Sequence, residues 1–173
     1  MKYNDCPTAT ASIVVHASAA TVWEIISDIE SPTRFSTEVK SVEWVEPGTT
    51  EPTIDAHFVG HSAHEAIGEW ETTCKVTDLR PEHVFEWSVV GADDTVSSIW
   101  RFTITDRGDG VELEQGFQMG PGRSGLNIAI DRMPDKEDRI VERRLAEHQA
   151  NMERTLAGIK AVAESRVPGE IVG

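Results

Sequence analysis

From Glu38 to Met119 the chain alternates apolar and polar residues with period two. In Gly68–Leu79, Trp70, Thr72, Cys74 and Val76 fall on one parity, and Glu69, Glu71, Thr73 and Lys75 on the other. In Val84–Val90, Phe85, Trp87 and Val89 oppose Glu86 and Ser88. Thr95–Thr105 sets Val96, Ser98, Trp100, Phe102 and Ile104 against Ser97, Arg101 and Thr103. Val111–Met119 sets Val111, Leu113, Gln115, Phe117 and Met119 against Glu112 and Glu114. Such alternation predicts antiparallel strands with one buried and one wet face. Val39–Val45 and Ile54–Ser62 read as two further strands, and Thr8–His16 as the first. Turns separate them, including Pro47–Pro52, Gly91–Asp94 and the DRGDG hairpin at Asp106–Gly110.

Two segments follow a different period. Ser18 is a good N-cap, and Ala19–Ser27 reads as a short helix burying Val22, Ile25 and Ile26. Asp28–Ser36 reads as a second helical turn. The period then returns to 3.6 from Asp138 to about Ser165. Val141, Leu145, His148, Met152, Leu156, Ile159 and Ala163 form one stripe, apolar except for His148. Asp135 is a candidate cap for this helix, with Asp138 in the third position of a capping box. Gly158 lies inside it, at a cost of about 1 kcal/mol against alanine, which points to a close backbone approach. At 1.5 Å per residue the helix spans roughly 40 Å. It is the one element large enough to cover the sheet. Gly120–Pro134, rich in glycine and proline at its start, reads as a mobile lid, with a helical turn near Leu126–Ile130.

Strands in sequence with segregated helices define an α+β class. The expectation is a curved antiparallel sheet of about seven strands wrapped around a long C-terminal helix, with two short helices after strand 1. One domain spans 8–166, residues 1–7 form a disordered tail, and 167–173 form a loose C-terminal tail.

The order and the residues IVVHASAATVWEIISDIESPTRFSTEVKSVEW, GEWETTCKVTDLRPEHVFEW, SSIWRFTI and NMERTLAGIKAVAE carry a resemblance. Over roughly residues 8–165 the chain resembles the START-like superfamily (Bet v 1-like, or SRPBCC), whose fold is the helix-grip. More narrowly it resembles the bacterial polyketide cyclase/dehydrase branch. The resemblance implies an apolar cavity between sheet and helix, with its mouth near the N-terminal half of the helix. Cyclase members steer aldol-type ring closure with a few polar side chains in that cavity. Here the only tyrosine is Tyr3, in the expected tail, and no inward Tyr–Arg pair stands out.

Charge narrows the partners. A formal net charge of −14 opposes binding to nucleic acid and to anionic membrane surfaces. No apolar run is long enough to cross a bilayer. Two distant cysteines, Cys6 and Cys74, are a poor disulfide framework, so a reduced, cytoplasmic protein is expected. The expected partner is a small hydrophobic molecule, with a homodimer left open.

The candidate ligand-binding residues are Phe35, Trp70, Thr72, Cys74, Trp87, Ser98, Trp100, Gln115, Phe117, His148 and Met152. Each aromatic residue reads as plain core or as pocket wall. Phe35 reads as a gate at the mouth or as a packed side chain. Cys74 reads as inert packing. His148 is the one candidate catalytic residue. It reads as a satisfied core histidine, as a general acid/base titrating near neutrality, or as a hydrogen-bonding group for a ligand carbonyl. His57, His61 and His64, with Asp55 and Glu65, are the one dense set of metal-ligand types. Zinc needs three or four convergent ligands, and H-E-x-x-H is absent, so exposed strand ends are the better account. No metal or cofactor is expected. The leading function is binding of a lipid or a polyketide-like or other aromatic molecule. The alternative is an aromatase/cyclase.

Overall fold

A computed structural model of the chain describes residues 1–166; the tail expected over 167–173 lies outside the described residues. Seven strands form one antiparallel sheet: β1 (Thr8–Val15), β2 (Val39–Trp44), β3 (His57–His64), β4 (Gly68–Arg80), β5 (Val84–Val90), β6 (Val96–Asp106) and β7 (Val111–Met119). Their spatial order is β1-β7-β6-β5-β4-β3-β2. Consecutive strands from β2 to β7 are neighbours, and β1 closes onto β7. The period-two reading holds most clearly along β7, where Val111, Leu113, Gln115, Phe117 and Met119 are all buried. β3 starts later than expected. Ile54 is 51% exposed in the preceding loop, and Asp55 there takes a left-handed φ of 68°, which breaks extended pairing.

Helix α1 (Ala19–Ile26) follows β1, and the Ser18 hydroxyl accepts the Thr21 amide at 3.1 Å as its cap. A 3-10 turn at Ser31–Arg34 takes the place of the second helical turn, and α2 (Leu126–Arg132) lies in the segment after β7. Helix α3 (Glu137–Ser165) runs along the inner face of the sheet. Its predicted stripe is buried throughout, and Thr155 joins it at 4% exposure.

The two halves of α3 are held differently. In the C-terminal half Leu156, Ile159 and Ala163 are each 1% exposed, and full burial of an aliphatic side chain contributes about 1.5–3 kcal/mol. This half is clamped on β1. Lys160 Nζ donates to the Val14 carbonyl at 2.6 Å, and the Glu164 carboxylate accepts the His16 amide at 2.8 Å. The N-terminal half begins after a 3-10 turn, Pro134–Lys136, and its N-cap is Lys136, with no side-chain cap. The expected Asp135 cap is therefore not formed, because Asp135 is taken up in the proline turn and the N-cap position falls one residue later. Glu137 instead accepts the Tyr3 amide at 2.9 Å, and Asp138 lies 3.5 Å from Lys2 Nζ.

That contact corrects the expected disordered start. Residues Tyr3–Asp5 form a 3-10 turn, and Tyr3 is 2% exposed. Its hydroxyl donates to the Gly122 carbonyl at 2.8 Å. Burying a tyrosine ring and satisfying its hydroxyl offsets the entropy of ordering a short segment.

Of the two readings of Phe35, the packed side chain describes its place. A Cβ built on Gly158 would lie 2.2 Å from Phe35 Cδ1. The ring therefore sits in the gap that Gly158 leaves in α3. The glycine marks a close approach, as its cost in a helix suggested, and its partner is an aromatic ring in the 31–36 segment. Phe35 fastens that segment to the clamped half of α3.

Gly158→Ala should lower stability by about 1 kcal/mol in urea unfolding, because overpacking of about 1–3 kcal/mol is set against a helix-propensity gain of about 1 kcal/mol. In a Phe35→Ala background the same substitution should become neutral or stabilising. An unchanged or raised stability of Gly158→Ala alone would remove the ring-in-gap account.

Candidate functional site

The antiparallel register places one end of every strand together. The start of β1, the end of β7, the 91–95 turn, the 65–67 turn and the lead into β2 share this end with the N-terminal half of α3. From there a string of rings runs across the inner face. Trp44 meets Phe58 edge-on at 5.6 Å, and Phe58 meets Trp87 at 6.2 Å. Trp87 stacks nearly parallel on Trp100, with centroids 6.4 Å apart and planes 9° apart. Trp100 reaches Phe117 at 4.6 Å, and His148 closes the string from α3. The His148 ring lies 4.2 Å from Phe117 and 5.1 Å from Trp100, edge-on to the latter.

The structure thus brings Trp87, Trp100, Phe117 and His148 into direct contact. Trp87 and Trp100 are half-buried, whereas Phe117 is 5% and Met152 1% exposed. Phe102, Leu113, Leu156 and Ile159, all at 0–1%, fill the deeper space between sheet and helix. The deep end of the sheet–helix interface is therefore closed by packing, while Trp87 and Trp100 keep part of their surface accessible. Thr72, Ser98 and Trp70 share the inward parity and are half-buried. Trp70 stands apart from the ring string, opposite Ser62 near the start of β4. Phe35, on Gly158, is also outside it.

Three polar groups accompany the rings. Thr72 donates to the Gly60 carbonyl at 3.4 Å. Gln115 is 5% exposed, and its Oε1 is buried without a hydrogen-bond partner. An unpaired buried carbonyl costs about 1–3 kcal/mol. With Ser31 Oγ, it is one of two fully buried side-chain polar atoms without a partner among the described residues. His148 is 8% exposed. Burial, with the nearby Arg144 charge as a second cause, pushes its pKa down to about 3. The imidazole is therefore neutral across the physiological range. It can donate or accept a hydrogen bond, but it is a weak base, which corrects the expectation of titration near neutrality. Cys74 is 4% exposed, and burial pushes its thiol up to about 12. It stays protonated and unreactive.

A charged cluster absent from the sequence expectations lies beside the mouth. Arg144 on α3 forms a two-pronged pair with Glu38, its Nη1 and Nη2 each 2.8 Å from a carboxylate oxygen. Both side chains are nearly buried, at 12% and 10% exposure. Arg144 also reaches Glu147 at 3.0 Å, and His64 Nε2 lies 3.9 Å from Glu147. Burial alone would raise the Glu147 carboxyl, but hydrogen bonds from Arg144 and Arg143 outweigh it and hold the group below its ordinary value. The four residues come from positions 38, 64, 144 and 147, and only the Arg144–Glu147 spacing is visible in sequence. A cleft of about 750 Å³ opens next to them, lined by Thr37, Glu38, Lys40, His64, Glu69 and Arg143 among others, and by none of the ring residues.

Glu38, His64 and Glu147 converge within 4.8 Å, as a metal site would. The chemistry does not fit one. The Arg144 guanidinium already pairs with both carboxylates and occupies their oxygens. His64 Nδ1 accepts the Ala66 amide at 3.1 Å, so in the neutral ring Nε2 carries the proton and has no lone pair to offer. The five-residue set read from sequence also disperses. His61 faces Glu43 and Glu71, Asp55 pairs with Lys75, and His64 turns to α3.

A seven-stranded antiparallel sheet gripping one long helix, with a ring-lined inner face, defines a helix-grip protein of the START-like, Bet v 1-like kind. The chain belongs to the family described as polyketide cyclase / dehydrase and lipid transport, whose profile matches residues 7–164. It is similar to the Polyketide_cyc-like protein Cgl2372 from Corynebacterium glutamicum, with 25% identity, 96% of each chain covered and a TM-score of 0.63. The Zhui aromatase/cyclase from Streptomyces sp. R1128 matches at 17% identity over 94% of this chain and 96% of that one, with a TM-score of 0.65. Ara h 8.0201 matches at 10% identity over 92% and 99%, with a TM-score of 0.58. The last two show shared fold. No curated protein matches the chain.

Two outcomes follow from the site's electrostatics. The folded pKa of His148 lies below its ordinary 6.5, so stability is full above pH 6.5 and falls as the pH drops from 6.5 to about 3. By pH 5 the loss is about 2 kcal/mol at 1.36 kcal/mol per unit. In urea unfolding at pH 7 and pH 5, His148→Gln should lose about 2 kcal/mol less than the wild type; equal losses would assign the effect elsewhere. Arg144→Met should cost about 3 kcal/mol by leaving Glu38 buried and unpaired, and Arg144→Met/Glu38→Met should recover most of it. A double variant as unstable as the single would contradict the pairing.

Proposed function

We propose that the protein binds a small, uncharged hydrophobic molecule against the Trp87–Trp100 surface, at the mouth end of the sheet–helix interface. The observation that carries the reading is the stacked, half-buried indole pair. Two parallel rings with an accessible face suit a planar or aliphatic apolar partner. The charged cluster stands outside the ring string, so the partner is neutral where it meets the rings. Thr72, Ser98, Gln115 and the neutral His148 are the groups that would orient its hydroxyl or carbonyl. Gln115 suits a hydroxyl, since its carbonyl is an unused acceptor. Trp70 and Cys74 extend the wall, while Phe117 and Met152 form its floor. Deep insertion requires Phe117 and Met152 to give way. Lipid or polyketide-like molecules are the classes the family description supports.

A second reading is an aromatase/cyclase, favoured by two polar groups, Gln115 and His148, near the same rings. It is the weaker of the two, because ring closure by acid/base steps wants a group titrating near the working pH. His148 would act there as a carbonyl-orienting donor. The two free cysteines and the absence, among the described residues, of a helix long and apolar enough to cross a membrane support placing the protein in the reducing cytoplasm. A homodimer is compatible with either reading.

Titration with the neutral fluorophore N-phenyl-1-naphthylamine should show saturable binding, weakened about tenfold by Trp100→Ala, as loss of about 1.5 kcal/mol of ring contact implies. Mass spectrometry of solvent extracts from denatured protein should show a co-purifying apolar molecule. No saturable fluorescence and an empty extract would overturn the binding reading. Turnover of a poly-β-ketone that His148→Ala abolishes would establish the second reading in its place.

A further inference from the structure

The two edges of the sheet are treated differently. Along β1, α3 covers the edge, with Lys160 bonded to the Val14 carbonyl and Glu164 to the His16 amide. At the other edge, β2 pairs only with β3. The Val45 amide donates to the His57 carbonyl at 2.9 Å. That sets the phase of the ladder: Glu43 turns its backbone groups to β3, and Val42 and Trp44 turn theirs outward. The register shift of this pair lies between Val39 and Ser41, so the stretch from Val42 to Trp44 is regular. An open, regular edge is a template for another strand.

A groove of about 380 Å³ runs beside this stretch, between it and residues 28–30. Ile29, Val42 and Trp44 give it an apolar side. Asp28, Glu30, Glu43 and Glu46 give it four carboxylates, and no lysine, arginine or histidine lines it. Near it, Arg34 approaches Asp28 at 3.8 Å and His61 approaches Glu43 at 3.5 Å, both at exposed positions. Glu30 and Glu46 have no ion-pair partner among the described residues.

We propose that the β2 edge and this groove form a docking site for an extended basic segment of a partner protein, added to the sheet as an eighth strand. Backbone pairing to Val42 and Trp44 supplies the register. Alternate side chains of the added strand then fall on the apolar side and beside the carboxylates. The segment so specified alternates apolar residues with lysine or arginine. This site meets the ring string only at Trp44, two ring contacts away from Trp87, and does not depend on the ligand bound there.

The test uses the full chain and a fluorescein-labelled, amidated Lys-Val-Lys-Val-Lys-Val-Lys peptide, read by anisotropy at 150 mM NaCl. A copy N-methylated on alternate amides keeps the charge but cannot pair as a strand. The expected results are saturable binding of the plain peptide, at least tenfold weaker binding of the N-methylated one, and at least tenfold weaker binding to Glu43→Lys/Glu46→Lys. The control Glu142→Lys/Glu153→Lys, on exposed turns of α3, should change binding less than twofold. Equal binding of both peptides, or an equal effect of both charge reversals, overturns the proposal in favour of general attraction to an acidic protein. Full competition by spermidine overturns it in favour of a small-cation site. Concentration-dependent dimerisation that Val42→Pro abolishes overturns it in favour of a second copy of this chain. No binding at 1 mM peptide overturns it outright.

Discussion

One helix cannot cover seven strands, and most of this structure answers to that mismatch. The apolar stripe of α3 seats its C-terminal half on β1, where Leu156, Ile159 and Ala163 are fully buried. Over β4 to β6 the helices reach the inner face only in places, through Trp23 on Phe85 and His148 on Trp100, and the rest is left to side chains of the sheet itself. Only large rings reach far enough to meet one another there, which is why Phe58, Phe85, Trp87, Trp100, Phe102 and Phe117 form an unbroken set. Where the rings are buried on all sides they are core. At Trp87 and Trp100, which stay half-buried, the same set offers a surface that another apolar molecule can share. Core and site are two ends of one packing solution.

The N-terminal half of α3 carries the same buried stripe, with Val141 at 0% and Met152 at 1% exposure, and adds polar contacts to it. Tyr3 ties the start of the chain to Glu137 and Gly122, and Arg144 ties the helix to Glu38. Contacts of this kind are directional and break singly, whereas the buried stripe yields only as a whole. His148 sits at the boundary between the two regimes. It is buried enough to lose its charge and near enough to the open end to address a guest through a neutral hydrogen bond.

The strands and long helix were legible because burial on one face imposes a local period, and Phe117 and Gln115 could be assigned to the inner face from that period alone. Gly158 was legible as a close approach, since a glycine in a helix interior has a cost that packing must offset. What packs there was not: Phe35 is more than a hundred residues away, and its own neighbourhood left a gate and a packed side chain equally open. Tyr3 was hidden for the same reason, because a short polar segment gives no periodic signal for a ring buried by distant carbonyls. Trp70 shows the limit of parity. Alternation gives the face of a strand, but not the position along it at which the covering element ends.

The amino-acid order alone determines the class of fold, the sign of the protein's charge and the composition of the inner face, because each follows from periodicity or from counting. Tertiary structure decides which inward residues touch. It alone brings Glu38, His64, Arg144 and Glu147 together, and the Ala66 amide then denies that set a metal. It also decides the protonation of His148. A histidine's sequence neighbours do not reveal how much water reaches it, and it is the loss of that water between α3 and the Trp100–Phe117 rings that lowers its pKa to about 3.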